Sequence, residues 1–296
     1  MVYTVTVNPS VDYIMHVGTL EEGMVNRSSS EELYIGGKGI NVSFVLKEFG
    51  IDSVALGFCA GFTGDYIKEK LLENGIKEEM ITLKNGNTRI NVKLKGQAET
   101  EINGQGPDIS TESLEELYKI LDKMRDGDYL VLSGSIPKTL SDDTYSNILK
   151  KINGKNIKTV VDASGQLLLK TLDEKPFLIK PNIYELADLF SVNINSADAA
   201  ALYAGKLVER GAQNVIVSMG GNGAVFVNKD HNIYRNAKKG KVVNSTGAGD
   251  SMVAGFIGSY IRNGDFEKAF ETAVETGTIA AFSAGLPCKE QLSDLI

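Results

Sequence analysis

Short runs of apolar and β-branched residues recur along most of this chain and alternate with segments whose apolar positions repeat at helical spacing. Residues 129–132, 159–161, 177–179 and 215–217 are such runs, and unbroken apolarity is what a strand covered on both faces requires. Between them, Val42, Val45, Leu46 and Phe49 fall at i, i+3, i+4 and i+7, and Phe266, Ala269, Phe270, Ala273 and Val274 repeat the spacing near the C-terminus, the signature of a helix burying one face. The alternation predicts an α/β fold with a mostly parallel, doubly wound sheet. Ligands of such folds sit beyond the carboxyl ends of the strands.

One region follows a different rule. In Arg89-Ile90-Asn91-Val92-Lys93-Leu94-Lys95 apolar and polar residues alternate strictly, so Ile90, Val92 and Leu94 share one face while Arg89, Asn91 and Lys93 share the other. A Gly96-Gln97 turn then leads into a return strand over 98–103. With residues 11–17 and 31–35 this hairpin predicts a small sheet, drawn from about 11–17, 31–35 and 88–103, standing off the main one. Its polar face is expected to cover a site, and its apolar face needs cover, for which a second subunit is one candidate.

Composition narrows the class. The 296 residues, 42% hydrophobic and 23% charged, suit one large α/β domain or two small ones with ample core. A formal net charge of −7 argues against a nucleic-acid or membrane-surface binder, so a phosphate ligand must be held by local nests, a few basic groups and a metal. Cys59 and Cys288 are the only cysteines and make no disulfide framework. His16 and His231 lie far apart, which argues against zinc or a histidine triad. No basic leader precedes an apolar run, and no run reaches membrane-spanning length; a cytosolic protein is expected.

The segment with the most chemistry is Asn244-Ser245-Thr246-Gly247-Ala248-Gly249-Asp250, which runs into an apolar helical stretch. Bare glycine backbone allows a tight turn and close approach of an anion, and the free N–H groups and dipole of the following helix face that anion. Asp250 is then either a first-turn acid favoured by the dipole or a base that takes a proton from a hydroxyl attacking phosphorus. A dinucleotide turn fits poorly, since the third glycine of G-x-G-x-x-G falls at Met252, and no G-x-x-x-x-G-K-[ST] string occurs.

Other constellations carry two readings each. Gly36-Gly37-Lys38-Gly39-Ile40-Asn41 is a strand-to-helix turn with a solvated lysine, or a backbone wrapped around a ligand with Lys38 as a point charge. In Lys180-Pro181-Asn182-Ile183-Tyr184-Glu185, Asn182 and Glu185 form a capping box and are also placed to organise Mg²⁺ through its waters; the residues by themselves favour the cap. Ser218-Met219-Gly220-Gly221-Asn222-Gly223 is a hairpin turn or a nucleotide contact. Asp12 is a turn acid or an acceptor of sugar hydroxyls, and Asp162 is expected to be a helix N-cap.

Taken in order, the segment Thr6–Asp12, the loop 36–41, Lys180–Glu185, Ser218–Gly223 and Thr246–Asp250 resemble the motifs of the ribokinase-like (PfkB) carbohydrate kinases across essentially the whole chain. The resemblance implies a single kinase domain over 1–296, a three-layer α/β sandwich with a β-sheet lid. It also implies MgATP-dependent phosphorylation of a sugar hydroxyl. Val25-Asn26-Arg27, the loop 36–42 and Thr88-Arg89-Ile90-Asn91-Val92-Lys93 are most similar to the branch acting on fructose 1-phosphate, with the tagatose 6-phosphate branch as near neighbour.

By this resemblance, Asp250 is the base and Gly247, Ala248 and Gly249 form the anion hole. Asp12, Gly37 and Asn41 hold sugar hydroxyls, Lys38 and Arg89 bind the existing phosphate, and Arg27 and Asn91 complete that wall. Asn182 and Glu185 organise Mg²⁺, while Asn182, Ser218, Gly220, Gly221, Gly223 and Gly249 contact ATP. The expected partners are a phosphorylated ketohexose and a second copy of the chain through the lid. A non-catalytic sugar-phosphate-binding regulator, fructose 6-phosphate as acceptor and a nicotinamide oxidoreductase are the competing readings.

Overall fold

The computed structural model describes all residues from Met1 to Ile296. In chain order the strands are β1 (Val2–Thr6), β2 (Ser10–His16), β3 (Ser30–Gly36), β4 (Ser53–Ala60), β5 (Lys77–Leu83), β6 (Arg89–Lys95), β7 (Glu99–Asn103), β8 (Tyr129–Ser133), β9 (Lys158–Asp162), β10 (Leu178–Ile179), β11 (Asn214–Ser218), β12 (Ala224–Asn228) and β13 (Asn232–Arg235). The helices are α1 (Lys38–Glu48), α2 (Gly61–Glu73), α3 (Thr111–Leu121), α4 (Thr144–Lys151), α5 (Gly165–Leu169), α6 (Ile183–Phe190), α7 (Ala197–Glu209), α8 (Ala248–Asn263) and α9 (Phe266–Phe282).

Nine strands form one sheet in the order β13-β12-β11-β10-β9-β8-β1-β4-β5. All neighbours from β11 to β5 run parallel, and only β12 and β13 return antiparallel at one edge. The apolar runs feed two cores because successive side chains point to opposite faces. Along β8, Leu130 and Leu132 pack with Leu117, Ile148, Leu168, Leu186 and Leu207 of α3–α7. Tyr129 and Val131 pack instead with Val45, Phe49, Phe256 and Phe270 of α1, α8 and α9. The sandwich therefore has three layers, as the alternation predicts. The run expected over 177–179 is a strand only at Leu178–Ile179; Pro176 and Pro181 flank it, and neither has an N–H to extend the ladder.

The second sheet has the order β3-β2-β6-β7, with β2 and β6 parallel and both outer pairs antiparallel. Val7, Asn8 and Pro9 alone separate core strand β1 from lid strand β2. Its polar face carries Asp12 between Tyr34 and Asn91, and Lys93 between Ile14 and Glu101. On the apolar face Val11 and Ile35 pack against the small cluster under α2. On the same face Leu33, Ile90 and Ile102 are exposed, the last at 61%. No helix is long and apolar enough to cross a membrane.

Candidate active site

The carboxyl ends of β9, β10 and β11 face a cleft of about 1550 Å³, roofed on one side by the polar face of the lid. Helix α8 points its N-terminus into it. Gly247, the residue before the helix, has φ 80°, a left-handed conformation that favours glycine, and a Cβ there would stand 2.7 Å from Leu286 Cδ2. The amide of Ala248, expected in the anion hole, donates instead to the Ser245 carbonyl at 3.3 Å, whereas those of Gly247, Gly249 and Asp250 donate to no group of the chain and lie at the positive end of a 16-residue helix.

Asp250 does not cap this helix. Its carboxylate turns inward, 5% exposed, and accepts a hydrogen bond from Asn41 Nδ2 at 2.8 Å. Burial, and then the nearby Asp162 charge, push its pKa up to about 6, against the pull of Asn41, Lys38 and Lys180. A carboxylate of that basicity, within reach of an anion hole, is suited to take a proton near neutral pH.

Behind Asp250 lies a buried charge cluster. Asp162, 1% exposed at the end of β9, has Lys38 Nζ and Lys180 Nζ each 3.4 Å from Oδ1. Burial would raise the Asp162 pKa, but Lys180 and Lys38 together hold it below the ordinary carboxylate range. The expected N-cap role of Asp162 is thus overturned: Ser164 precedes α5, and the aspartate instead neutralises two ammonium groups. Lys180 is 4% exposed, and its Nζ lies 2.9 Å from where a Cβ on Gly249 would stand. A buried cation therefore sits directly beneath the anion hole. At Lys38, burial pulls the pKa down and the charges of Asp162 and Asp250 more than offset it.

On the lid side, Asp12 Oδ1 accepts from Ser10 Oγ at 2.7 Å and from Asn91 Nδ2 at 2.9 Å. Arg89 donates from Nε to the Asn8 carbonyl at 3.2 Å, which fixes its guanidinium at the lid hinge. Gly37 has φ 138°, and a Cβ there would lie 2.7 Å from Thr6 Cγ2, so the loop lies directly on β1. Beside the main cleft and sharing Gly37, Lys38, Arg89 and Glu185 with it is a smaller cavity of about 500 Å³, also lined by Asn8 and Ser135. Lys38 and Arg89 bring two cations to this cavity, and Asp142 and Glu185 bring two carboxylates. Arg27, expected on this wall, is exposed and lines neither cavity.

On the far side, Asn182 and Glu185 form the expected capping box: Asn182 Oδ1 accepts from the amides of Tyr184 and Glu185, and Glu185 Oε2 accepts from the amide of Asn182. Ser218–Gly223 is the turn between β11 and β12, and Ser218, Gly220 and Gly221 line the cleft with open space above both glycines. Gly223 also touches the cleft, yet its φ of 82° and the Arg235 carbonyl, 2.0 Å from an added Cβ, give it a backbone role. No group of three or more His, Cys, Asp or Glu is arranged to hold a metal ion. With Glu185 Oε1 free, the donor set fits Mg²⁺ that keeps its waters and is carried on substrate phosphates.

A family model described as pfkB family carbohydrate kinase matches residues 5–288. The chain belongs to this family. Family members transfer a phosphoryl group from ATP to a sugar hydroxyl, so this carbohydrate kinase is a phosphotransferase with an alcohol acceptor. It is 48% identical over its full length to a 1-phosphofructokinase of Bacillus subtilis, covering 97% of that protein. It is 37% identical to a D-tagatose-1-phosphate kinase of Bacillus licheniformis, over 97% of this chain and 94% of the relative. Among solved structures it is similar to a tetrameric inhibited form of phosphofructokinase-2 from Escherichia coli, with TM-score 0.89, 25% identity and coverage of 99% and 97%. Its fold is that of Arabidopsis thaliana ribokinase, at TM-score 0.82, 18% identity and coverage of 99% and 97%, which makes the sandwich with its lid ribokinase-like.

Three parts of the kinase site were not singled out by sequence reasoning. Lys180 stands in a motif read for Asn182 and Glu185, and its burial follows only from the fold. Lys93 looks like any polar-face lysine until β6 pairs with β2. The apolar wall of the cleft, with Val242, Val243, Phe282 and Leu286, comes from the loop before α8, the last residue of α9 and the segment after it. The adjacent apolar pair Val242-Val243 in an otherwise Lys- and Gly-rich stretch was the signal available for it.

Proposed function

We propose that this kinase phosphorylates fructose 1-phosphate at its 6-hydroxyl, giving fructose 1,6-bisphosphate and ADP. The observation that carries the reading is the arrangement around Asp250: a buried base and an anion hole in one cleft, with Lys38 and Arg89 on the adjoining cavity. An acceptor held by its phosphate between these cations presents its far hydroxyl to Asp250. As the oxygen attacks, its proton passes to the Asp250 carboxylate, the new P–O bond forms, and the bond to the ADP oxygen breaks. The free amides of Gly247, Gly249 and Asp250, with Ala248 fixing the turn and Lys180 below, stabilise charge on the moving phosphoryl group.

Gly37, Asn41, Asp12 and Asn91 orient the sugar hydroxyls. Ser218, Gly220 and Gly221 lie beside the nucleotide, and Gly223 and Gly249 let backbone approach it. Asn182 and Glu185 would hold Mg²⁺, which would neutralise phosphate charge when bound. Two relatives of similar coverage carry tagatose phosphate kinase and phosphofructokinase names, so the acceptor is the point to test. A coupled ADP-release assay with fructose 1-phosphate, tagatose 6-phosphate and fructose 6-phosphate should give the highest kcat/KM for the first. A higher value for another sugar replaces the substrate, and no ADP from any of them makes the chain a binding regulator.

An inhibited form of E. coli phosphofructokinase-2 is tetrameric. Here the exposed apolar lid face of Leu33, Ile90 and Ile102 supports a homodimer joined through the lid. Both phosphorylated sugars and ATP are cytoplasmic solutes, which supports a cytoplasmic enzyme.

A further inference from the structure

Lys93 has no place in the reaction as derived above, yet it is the cation nearest to Asp12. It lies on the polar face of β6, its side chain is 12% exposed, and its Nζ is 3.3 Å from Asp12 Oδ2. A second carboxylate, Glu101 on β7, is 3.9 Å away and largely exposed. Asp12 Oδ1 is saturated by Ser10 and Asn91, so Oδ2 is the oxygen left for a ligand, and Lys93 stands beside it. The amide of Asn91 is oriented by its bond to Asp12. Its own oxygen, Oδ1, is buried without a partner on the wall of the cleft. A buried carbonyl with no donor is costly, and a sugar hydroxyl supplies that donor.

This arrangement contains an electrostatic conflict that Lys93 resolves. The Asp12 carboxylate offers its oxygens to sugar hydroxyls, but an anion beside a dianionic sugar phosphate repels it. With Lys93 in place the pair is close to neutral, and the acceptor meets an oriented acceptor atom without a net negative charge.

We propose that Lys93 is a positioning residue for the acceptor sugar that acts through Asp12. It holds Oδ2 in line and cancels the Asp12 charge, so that a sugar already carrying a phosphate is admitted. The inference rests on the assignment of Asp12 and of a phosphorylated acceptor made above.

The test is a double-mutant cycle with Lys93→Met and Asp12→Asn, each variant assayed with fructose 1-phosphate, with unphosphorylated fructose and with MgATP varied. Lys93→Met should raise KM for fructose 1-phosphate by about tenfold or more, the scale of losing one charged hydrogen-bond partner. It should change kcat and the KM for MgATP by less than about twofold and affect fructose less than its phosphate. Lys93→Arg should restore most of the loss. In the Asp12→Asn background, which has no charge to cancel, Lys93→Met should add little.

An equal penalty in both backgrounds overturns the inference, because Lys93 then binds the acceptor directly. A parallel rise in both KM values, with a lowered Tm, also overturns it and makes Lys93 a structural residue of the lid. These failures leave the substrate reading intact, whereas a wild-type enzyme that releases no ADP with any sugar phosphate removes that reading and this one together.

Discussion

Replacing Asp250 with asparagine should make the enzyme nearly inactive and, at neutral pH, more stable. The activity half follows from the loss of the base: general-base assistance contributes roughly 10²–10⁴-fold, or about 3–5 kcal/mol of barrier. The amide keeps the shape of the side chain and can still accept from Asn41, so acceptor binding should change little. The stability half follows from burial. An aspartate with an ordinary pKa of 3.8 is held in the folded chain at about 6, so the folded state retains a proton that the unfolded state has lost between those values. Stability from this group is fully present below about pH 3.8 and is lost as pH rises through about 6, amounting to about 3 kcal/mol at neutrality at 1.36 kcal/mol per pH unit.

Asparagine does not ionise, so it escapes that cost. Thermal unfolding at pH 7.5 should show the variant melting several degrees higher, at roughly 2–4 °C per kcal/mol for a chain somewhat smaller than this, and the difference should shrink toward pH 4.5. In the wild type, kcat/KM should fall tenfold per pH unit below about 6 as the base is protonated, and the residual rate of the variant should lack that limb. A variant with undiminished kcat refutes the base assignment. One that melts no higher than wild type at pH 7.5, though inactive, refutes the claim that burial and the Asp162 charge raise the Asp250 pKa.

Three further outcomes follow from the same geometry. Lys38→Ala and Arg89→Ala should each raise KM for the phosphorylated acceptor far more than for its unphosphorylated analogue; equal losses would mean that neither reads the phosphate. Asp162→Ala leaves Lys180 buried without its counter-charge and should destabilise the fold by about 3–5 kcal/mol, read as a fall in the denaturant midpoint, while Asp162→Ala combined with Lys180→Met should recover part of that loss. Gly37→Ala forces a Cβ to 2.7 Å from Thr6 at a φ that L side chains avoid. It should depress acceptor affinity and Tm together, and an unchanged KM would show that the loop yields at no cost.

The fold was legible wherever one residue pattern had one physical meaning. The apolar runs of β8 and β11 and the helical spacing of Val42, Val45, Leu46 and Phe49 translate directly, since strict alternation or its absence tells how many faces are buried. The lid announced itself by breaking that rule. Asp250 was ambiguous because a first-turn acid looks the same whether it caps a helix or faces Asn41, 209 positions away. Asp162 was misread for a related reason. An acid at a strand's end is ordinarily a cap, and only the closure of the sheet brings Lys38 and Lys180 to it. Charges whose partners are distant in sequence carry no local signal, which is also why Lys93 stayed silent.

The hydrogen bond from Asn41 to Asp250 joins the first helix of the sandwich to its eighth, and Leu286 lies behind the turn at Gly247. A ribosome making this chain therefore adds 209 residues after Asn41 before the catalytic pair exists. The lid strands and Lys38 precede Asp250 in the chain by more than a hundred residues. Premature termination before the last helices thus yields a product that cannot consume ATP, whatever part of the acceptor pocket it has formed.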